Sequence, residues 1–203
     1  MTDRLLWVEG KDDIHVIYSL VHHFAVPESF KVEEKKGLTV LLEAFEVALL
    51  NPAAIAVLGV VVDADTNPVG RWQSLSNILA TVGYTNLPAT PAPFGTIITE
   101  ANLAKVGIWL MPDNTSEGML ENFVASLVVD PETDPLWLLS EKCLQEALSI
   151  SPDIPPTKGR LHTYLAWQND PGTPLGQAIT KKYFDPTKPE AQGFINWLNQ
   201  LFN

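Results

Sequence analysis

Residues 55–65 read IAVLGVVVDAD, from Ile55 to Asp65. The run Ile55 to Val62 is almost wholly β-branched or aliphatic, with no polar residue facing out at every second position. That pattern predicts a strand covered on both faces, as in a parallel sheet. It stops abruptly at Asp63-Ala64-Asp65. Upstream, Leu5 to Val8 is a short apolar run closed by Glu9-Gly10. Asp12 to Phe24 then carries Ile14, Ile17, Tyr18 and Val21 at helical spacing, so the unit reads strand, turn, helix. Phe30 to Glu34 predicts a weaker strand, and Leu38 to Leu50 a helix whose apolar face is Leu38, Leu41, Leu42, Phe45 and Leu49. Downstream follow a helix over Arg71 to Val82, a short strand over Gly95 to Thr99, and a second buried strand, Val106 to Met111, ending at Pro112-Asp113. Alternating strands and helices predict an α/β fold with a doubly wound, mainly parallel sheet.

From Glu117 onward the pattern turns helical, with segments near Glu117 to Leu127, Pro135 to Leu148 and Lys158 to Gln168 separated by proline-containing loops. Ala191, Phe194, Ile195, Leu198, Leu201 and Phe202 form one apolar stripe, the mark of a docking helix. The expected division is an α/β domain over residues 1–128 and a helical C-terminal extension over 129–203, packed on the same core.

A chain of 203 residues with 46% hydrophobic content can bury a substantial core. The longest apolar stretch, Ala53 to Val62, is far short of the roughly 20 residues that span a bilayer, and the N-terminus lacks a signal-peptide pattern. A cytoplasmic protein without membrane contact is expected. Cys143 is the single cysteine, so neither an intrachain disulfide nor a thiolate cluster can form. Asp and Glu outnumber Lys and Arg by 24 to 13, and the net charge of −11 repels nucleic acid at long range. Nonspecific duplex coating is thereby disfavoured, although a bound cation would offset the field locally.

In parallel α/β sheets, functional groups collect at the carboxyl ends of the strands, where the loops converge. Glu9 ends the first strand, and Asp63 and Asp65 end the central one. Asp113 ends the later strand, shortly before Glu117 and Glu121. Residues two apart in extended chain project to one side, and residues four apart share a helical face, so Asp63 with Asp65 and Glu117 with Glu121 are expected to act as pairs. Crowded carboxylates raise one another's pKa values unless a cation neutralises them, and a hard, oxygen-preferring ion suits them. Acidic residues also cap helices; that reading competes on equal terms for Asp12, Asp13 and Glu117.

Val8-Glu9-Gly10-Lys11-Asp12-Asp13 after the first strand and Val61-Val62-Asp63-Ala64-Asp65 after the central one resemble, in order and spacing, the two signature motifs of the Toprim domain. Met111-Pro112-Asp113-Asn114 through Glu117-Gly118-Met119-Leu120-Glu121 is similar to the later acidic motif of Toprim modules in OLD-type nucleases. The whole chain looks like a small stand-alone family of Toprim-like proteins. The resemblance covers roughly the first 125 residues and implies a Toprim/Rossmann-like sheet with metal-dependent, nuclease-like phosphodiester chemistry. It implies Glu9 as general base or acid, Asp63 and Asp65 as magnesium (or manganese) ligands, and Asp113, Glu117 and Glu121 as a second metal position. A metal pair clamps the attacking and leaving oxygens and generates a nucleophilic water near neutral pH. Lys11 and Arg71 are the candidates for substrate phosphates, with nucleic acid as the expected partner.

Two other readings stand beside this one. A catalytically silent Toprim-like module would bind a nucleic acid, nucleotide or protein and lose little on Asp63→Asn. A receiver-like doubly wound domain would place Glu9 and Asp63 on neighbouring strands but turn Asp113 and Glu117 elsewhere. His15, His22, His23 and His162 form no metal-ligand spacing, and no glycine-rich phosphate loop occurs. Lys158, Arg160, Lys181, Lys182 and Lys188 hold five of the 13 basic residues and read as a solvated face more readily than as a phosphate patch. An exposed sheet edge or the apolar C-terminal helix offers a surface for a homodimer.

Overall fold

The computed structural model describes residues 3–51 and 55–203. The first two residues of the apolar stretch that begins at Ala53 therefore lie outside the described residues. Strand β1 (Arg4–Val8), helix α1 (Lys11–His23), β2 (Lys31–Glu34), α2 (Leu38–Leu49), β3 (Val57–Asp63) and α3 (Pro68–Val82) alternate as the apolar pattern requires. Then come β4 (Thr96–Ile98), β5 (Lys105–Met111), α4 (Leu120–Ser126), α5 (Pro135–Ile150), α6 (Pro156–Ala166), α7 (Leu175–Thr180) and α8 (Pro189–Phe202). The strands form one sheet in the order β2-β1-β3-β5-β4. β1, β2, β3 and β5 run parallel, and the three-residue β4 joins β5 antiparallel at the edge. The fold is thus mixed α/β with a mostly parallel sheet, flanked by helices and continued by a helical C-terminal segment.

The period of two along the strands sorts side chains onto two faces. Trp7, Leu58, Val60, Val62, Ile108 and Leu110 face α2 and α3, where Leu41, Phe45, Trp72, Leu75 and Leu79 complete a buried cluster. Leu6, Val8, Val61, Trp109 and Met111 face the other way, into a cluster shared with α1, α4 and the C-terminal helices. Residues on both sides of position 128 contribute to this second cluster, among them Phe123, Leu127, Trp137, Leu161, Phe184 and Phe194.

Gly59 of β3 and Gly107 of β5 are register partners, and together they open a trough across the middle of the sheet. α8 lies in it. A Cβ on Gly59 would come within 2.6 Å of Leu6 Cδ1 and 2.9 Å of Leu201 Cδ2, and one on Gly107 would overlap Leu201. The last turn of α8 is held by cations that answer its unpaired carbonyls: Lys105 Nζ donates to Leu201 O at 2.8 Å, and Arg4 donates to Phe202 O. The apolar stripe expected to serve either docking or dimerisation is buried within the chain, with Phe194, Leu198 and Leu201 at most 1% exposed, so it offers no dimer surface. Among the described residues, no helix is long and apolar enough to cross a membrane.

Candidate functional site

The carboxyl ends of β1 and β3 lie side by side, because Val8 pairs with Val61. Glu9 and Asp63 therefore emerge into the same cleft. Asp63 N donates to Glu9 Oε1 at 2.8 Å, and Leu120 N, at the start of α4, donates to Asp63 Oδ1 at 2.9 Å. One turn into α1, Asp13 Oδ2 accepts from Gly10 N at 3.1 Å. Glu121 reaches the cleft from α4 and is met by Lys158 of α6, Nζ to Oε1 3.1 Å. The cleft encloses about 240 Å³, and Lys11 and Asp12 also line it.

Five acidic side chains, Glu9 just beyond β1, Asp12 and Asp13 of α1, Asp63 of β3 and Glu121 of α4, thus line one small space, and Asp13 and Glu121 are each only 8% exposed. Burial disfavours the ionised form and neighbouring charges add to the penalty. Burial, then the charges of Glu9 and Asp13, push Asp63 up to about 7 against the opposing Leu120 amide. Burial, relieved in part by the Gly10 amide and reinforced by the charges of Glu9 and Glu121, pushes Asp13 up to about 7 as well. Burial also raises Glu9, although the Asp63 amide and the Arg71 charge pull it back. The hydrogen bond and charge of Glu121 raise Lys158. At neutral pH the cleft therefore holds protons on carboxyl groups that would be fully ionised in water.

Not every sequence candidate arrives here. The strand ends at Asp63, so the alternation that would aim Asp65 alongside it no longer applies. Asp65 adopts a left-handed backbone (φ 52°), is exposed, and pairs with Arg71 Nη2 at 2.6 Å in an adjoining hollow. Arg71 is spent on this loop, since its Nε also donates to Asp63 O at 2.8 Å. Asp113 closes its own turn, accepting from the amides of Thr115 and Ser116 and from both hydroxyls. Burial would raise its carboxyl, but these bonds outweigh it and hold Asp113 below the usual range. Glu117 is exposed on a turn that precedes α4; the helix begins at Leu120, so Glu117 and Glu121 do not share a helical face.

Asp113 and Glu117 are therefore placed as the receiver-like alternative requires, whereas Glu121 stands in the cleft. Two more candidates stand here: Asp13, for which capping and function competed on equal terms in the sequence, and Lys158, which the sequence placed on a solvated face. The signal for Asp13 was its place four residues after Glu9, one helical turn beyond the strand end. Lys158 carried no comparable signal, because only the tertiary fold brings α6 to this edge. The other C-terminal cations do not converge: Arg160 pairs with Glu141 at 2.9 Å and stacks 3.8 Å from the Trp137 ring centroid, and Lys181 pairs with Asp170.

Among the described residues, no group of three His, Cys, Asp or Glu side chains is disposed to hold a metal ion directly. The donor chemistry nevertheless fits a hard cation. Glu9, Asp13 and Asp63 each commit one carboxylate oxygen to a backbone amide and retain the other. No curated protein and no solved structure matches the chain. A family model does match it, over residues 3–203, and the chain belongs to that family, described as Protein of unknown function (DUF3226).

Proposed function

We propose that this chain is a magnesium- or manganese-dependent enzyme acting on phosphodiester bonds, nuclease-like, with Glu9 and Asp63 at the centre of the site. The observation that carries the reading is the convergence of Glu9, Asp13, Asp63 and Glu121 at the carboxyl end of a parallel sheet, with Asp13 and Asp63 pushed up to about 7. The resemblance of residues 8–13 and 61–65 to the Toprim motifs supports the same chemistry.

Asp63 and Glu121 are the residues that would hold the metal, with Glu9 and Asp13 next to them. The bound cation would supply charge neutralisation for the phosphate and a lowered pKa for attacking water. Glu9 is oriented by the Asp63 amide, which fixes one oxygen and leaves the second to take a proton from water. Asp13, protonated near neutrality, is placed to return a proton to the departing oxygen. Lys11 and Lys158 line the cleft and bring positive charge to an otherwise repulsive surface, Lys158 by exchanging Glu121 for a phosphate.

Calorimetric titration of magnesium and manganese into the native chain and into Asp63→Asn, followed by cleavage assays on single- and double-stranded DNA and RNA, tests the reading. Binding and cleavage that vanish together in the variant support it. A second reading, a catalytically silent module, draws on the ion pairs that already neutralise Asp65 and Glu121 and on the placement of Asp113 and Glu117 outside the cleft. It predicts no cleavage with either metal.

A further inference from the structure

A cavity of about 200 Å³ opens where three segments meet: the loop before β4 (Pro93, Phe94), the turn after β5 (Pro112, Asp113) and the start of α8 (Pro189, Glu190, Gly193). Hydrogen bonds fix its walls. Asn114, 1% exposed, accepts from Leu110 N through Oδ1 at 2.9 Å and donates from Nδ2 to Pro93 O at 3.4 Å, which ties the first two segments together. Gly95 N donates to Ala92 O at 2.9 Å and closes the turn that carries Phe94.

Packing accounts for neither Phe94 nor Gly193. Phe94 is 80% exposed, so its ring is left in water at the mouth of the cavity. Gly193 lies inside α8, where glycine is less stable than alanine because it gives up more backbone freedom. A Cβ on the helical glycines Gly70 and Gly176 would come within 2.5 Å of a neighbour, and one on Gly159 within 3.1 Å. At Gly193 the nearest atom of another segment is Trp109 Cη2, at 4.0 Å. Alanine would fit there without a clash, and the missing side chain leaves the cavity open.

The polar groups at the rim carry one sign. Asp113 and Glu190 are both acids, and no basic side chain lines the cavity. Asp113 Oδ2 accepts only the Ser116 hydroxyl, at 2.8 Å, and Glu190 has no side-chain partner among the described residues. Pro93, Pro112 and Pro189 present no amide hydrogen that would repel a cation.

We infer that this cavity receives an arginine side chain from a basic segment of a partner protein, the guanidinium stacking on Phe94 and pairing with Asp113 and Glu190. Small-molecule sites begin at roughly 300 Å³, so a volume of about 200 Å³ has room for one side chain rather than a whole ligand. Arginine suits it better than lysine, because the planar, weakly hydrated guanidinium stacks on aromatic faces and meets carboxylates two bonds at a time. The net charge of −11 draws a basic segment towards the chain. The inference does not depend on metal chemistry in the acidic cleft.

The test titrates the full nitrogen-15-labelled chain with a heptapeptide that holds one central arginine between two lysines, read by heteronuclear NMR. We expect saturable shifts of the Phe94, Gly95, Asp113 and Gly193 amides. Citrulline at the central position keeps the shape without the charge and should bind about tenfold more weakly. Gly193→Leu fills the cavity with a better helix former, so it should keep or raise the Tm and abolish the shifts. Phe94→Ser, at an exposed position, should keep the Tm and weaken the arginine peptide about tenfold. Absence of saturable shifts at millimolar peptide, equal binding of the citrulline peptide, or undiminished binding in either folded variant would overturn the inference. So would acetylarginine amide binding as tightly as the peptide, which assigns the cavity to a small molecule, or the same shifts on concentrating the chain alone, which assign it to a second copy.

Discussion

Replacing Asp63 by Asn removes one charge from the acidic cleft while keeping an oxygen for the Leu120 amide. The Asp63 carboxyl moves from 3.8 to about 7 on folding, chiefly through burial. A raised folded pKa means that the native state favours the protonated form. The stability Asp63 contributes is therefore complete below about pH 4 and is lost as pH rises to about 7. Three pH units correspond to a ceiling of ~4 kcal/mol, and relaxation and water in the cleft reduce this to ~1–2 kcal/mol. For a chain of this size, that is about 2–8 °C in Tm. Asp63→Asn should accordingly melt higher than the native chain at about pH 8 in chelator and equally at about pH 3 to 4. Magnesium at about tenfold above its Kd adds ~1.4 kcal/mol to the native chain, and this gain should be absent from the variant. Thermal melts at the two pH values, with and without metal, read all four numbers. A variant that melts lower at pH 8, or one that keeps the full magnesium shift, would refute the reasoning.

Glu9→Gln keeps an acceptor for the Asp63 amide, so the fold should persist while cleavage falls about 10²–10⁴-fold, read in single-turnover assays. Lys158→Met strips Glu121 of its partner; the metal-free protein should lose ~1–2 kcal/mol at pH 8, and magnesium should restore much of it in thermal melts. Gly59→Ala introduces the contacts with Leu6 and Leu201 described above, and denaturant unfolding should show a loss of ~1–3 kcal/mol at unchanged m-value. Because the cleft must shed protons to bind a cation, magnesium affinity should rise between about pH 6 and 8 in calorimetry, following Asp13 and Asp63.

The buried strands were legible because hydrophobicity without alternation has few alternatives in a chain that also shows amphipathic helices. β3 and β5 lie within a residue or two of where Val62 and Met111 suggested. α7 was not legible, since six residues are too short for a helical period to emerge. The end of α1 carrying Asp13 was read as a helix start, where capping explains an acid as readily as chemistry does. For the site, Glu9 and Asp63 followed from strand ends, and strand ends are what periodicity marks best. Asp65, Asp113 and Glu117 lie outside the cleft because local spacing rules do not hold beyond the elements that justify them. A strand that stops at Asp63 no longer fixes the direction of Asp65, and a helix that starts at Leu120, after Gly118 at φ 139°, cannot align Glu117.

The Gly59–Gly107 trough bears on the order in which the protein matures. Its filling, α8, is contributed by residues 189–202, more than a hundred positions after β3. During synthesis the central strands are finished long before the helix that shields them, and one face of the sheet is left exposed to water. Contacts so distant in sequence close slowly, and an uncovered apolar sheet invites association with neighbours. Expression yield should thus be unusually sensitive to changes in α8 that hardly alter the equilibrium stability, and a chaperone that holds the sheet until residue 202 emerges should rescue them.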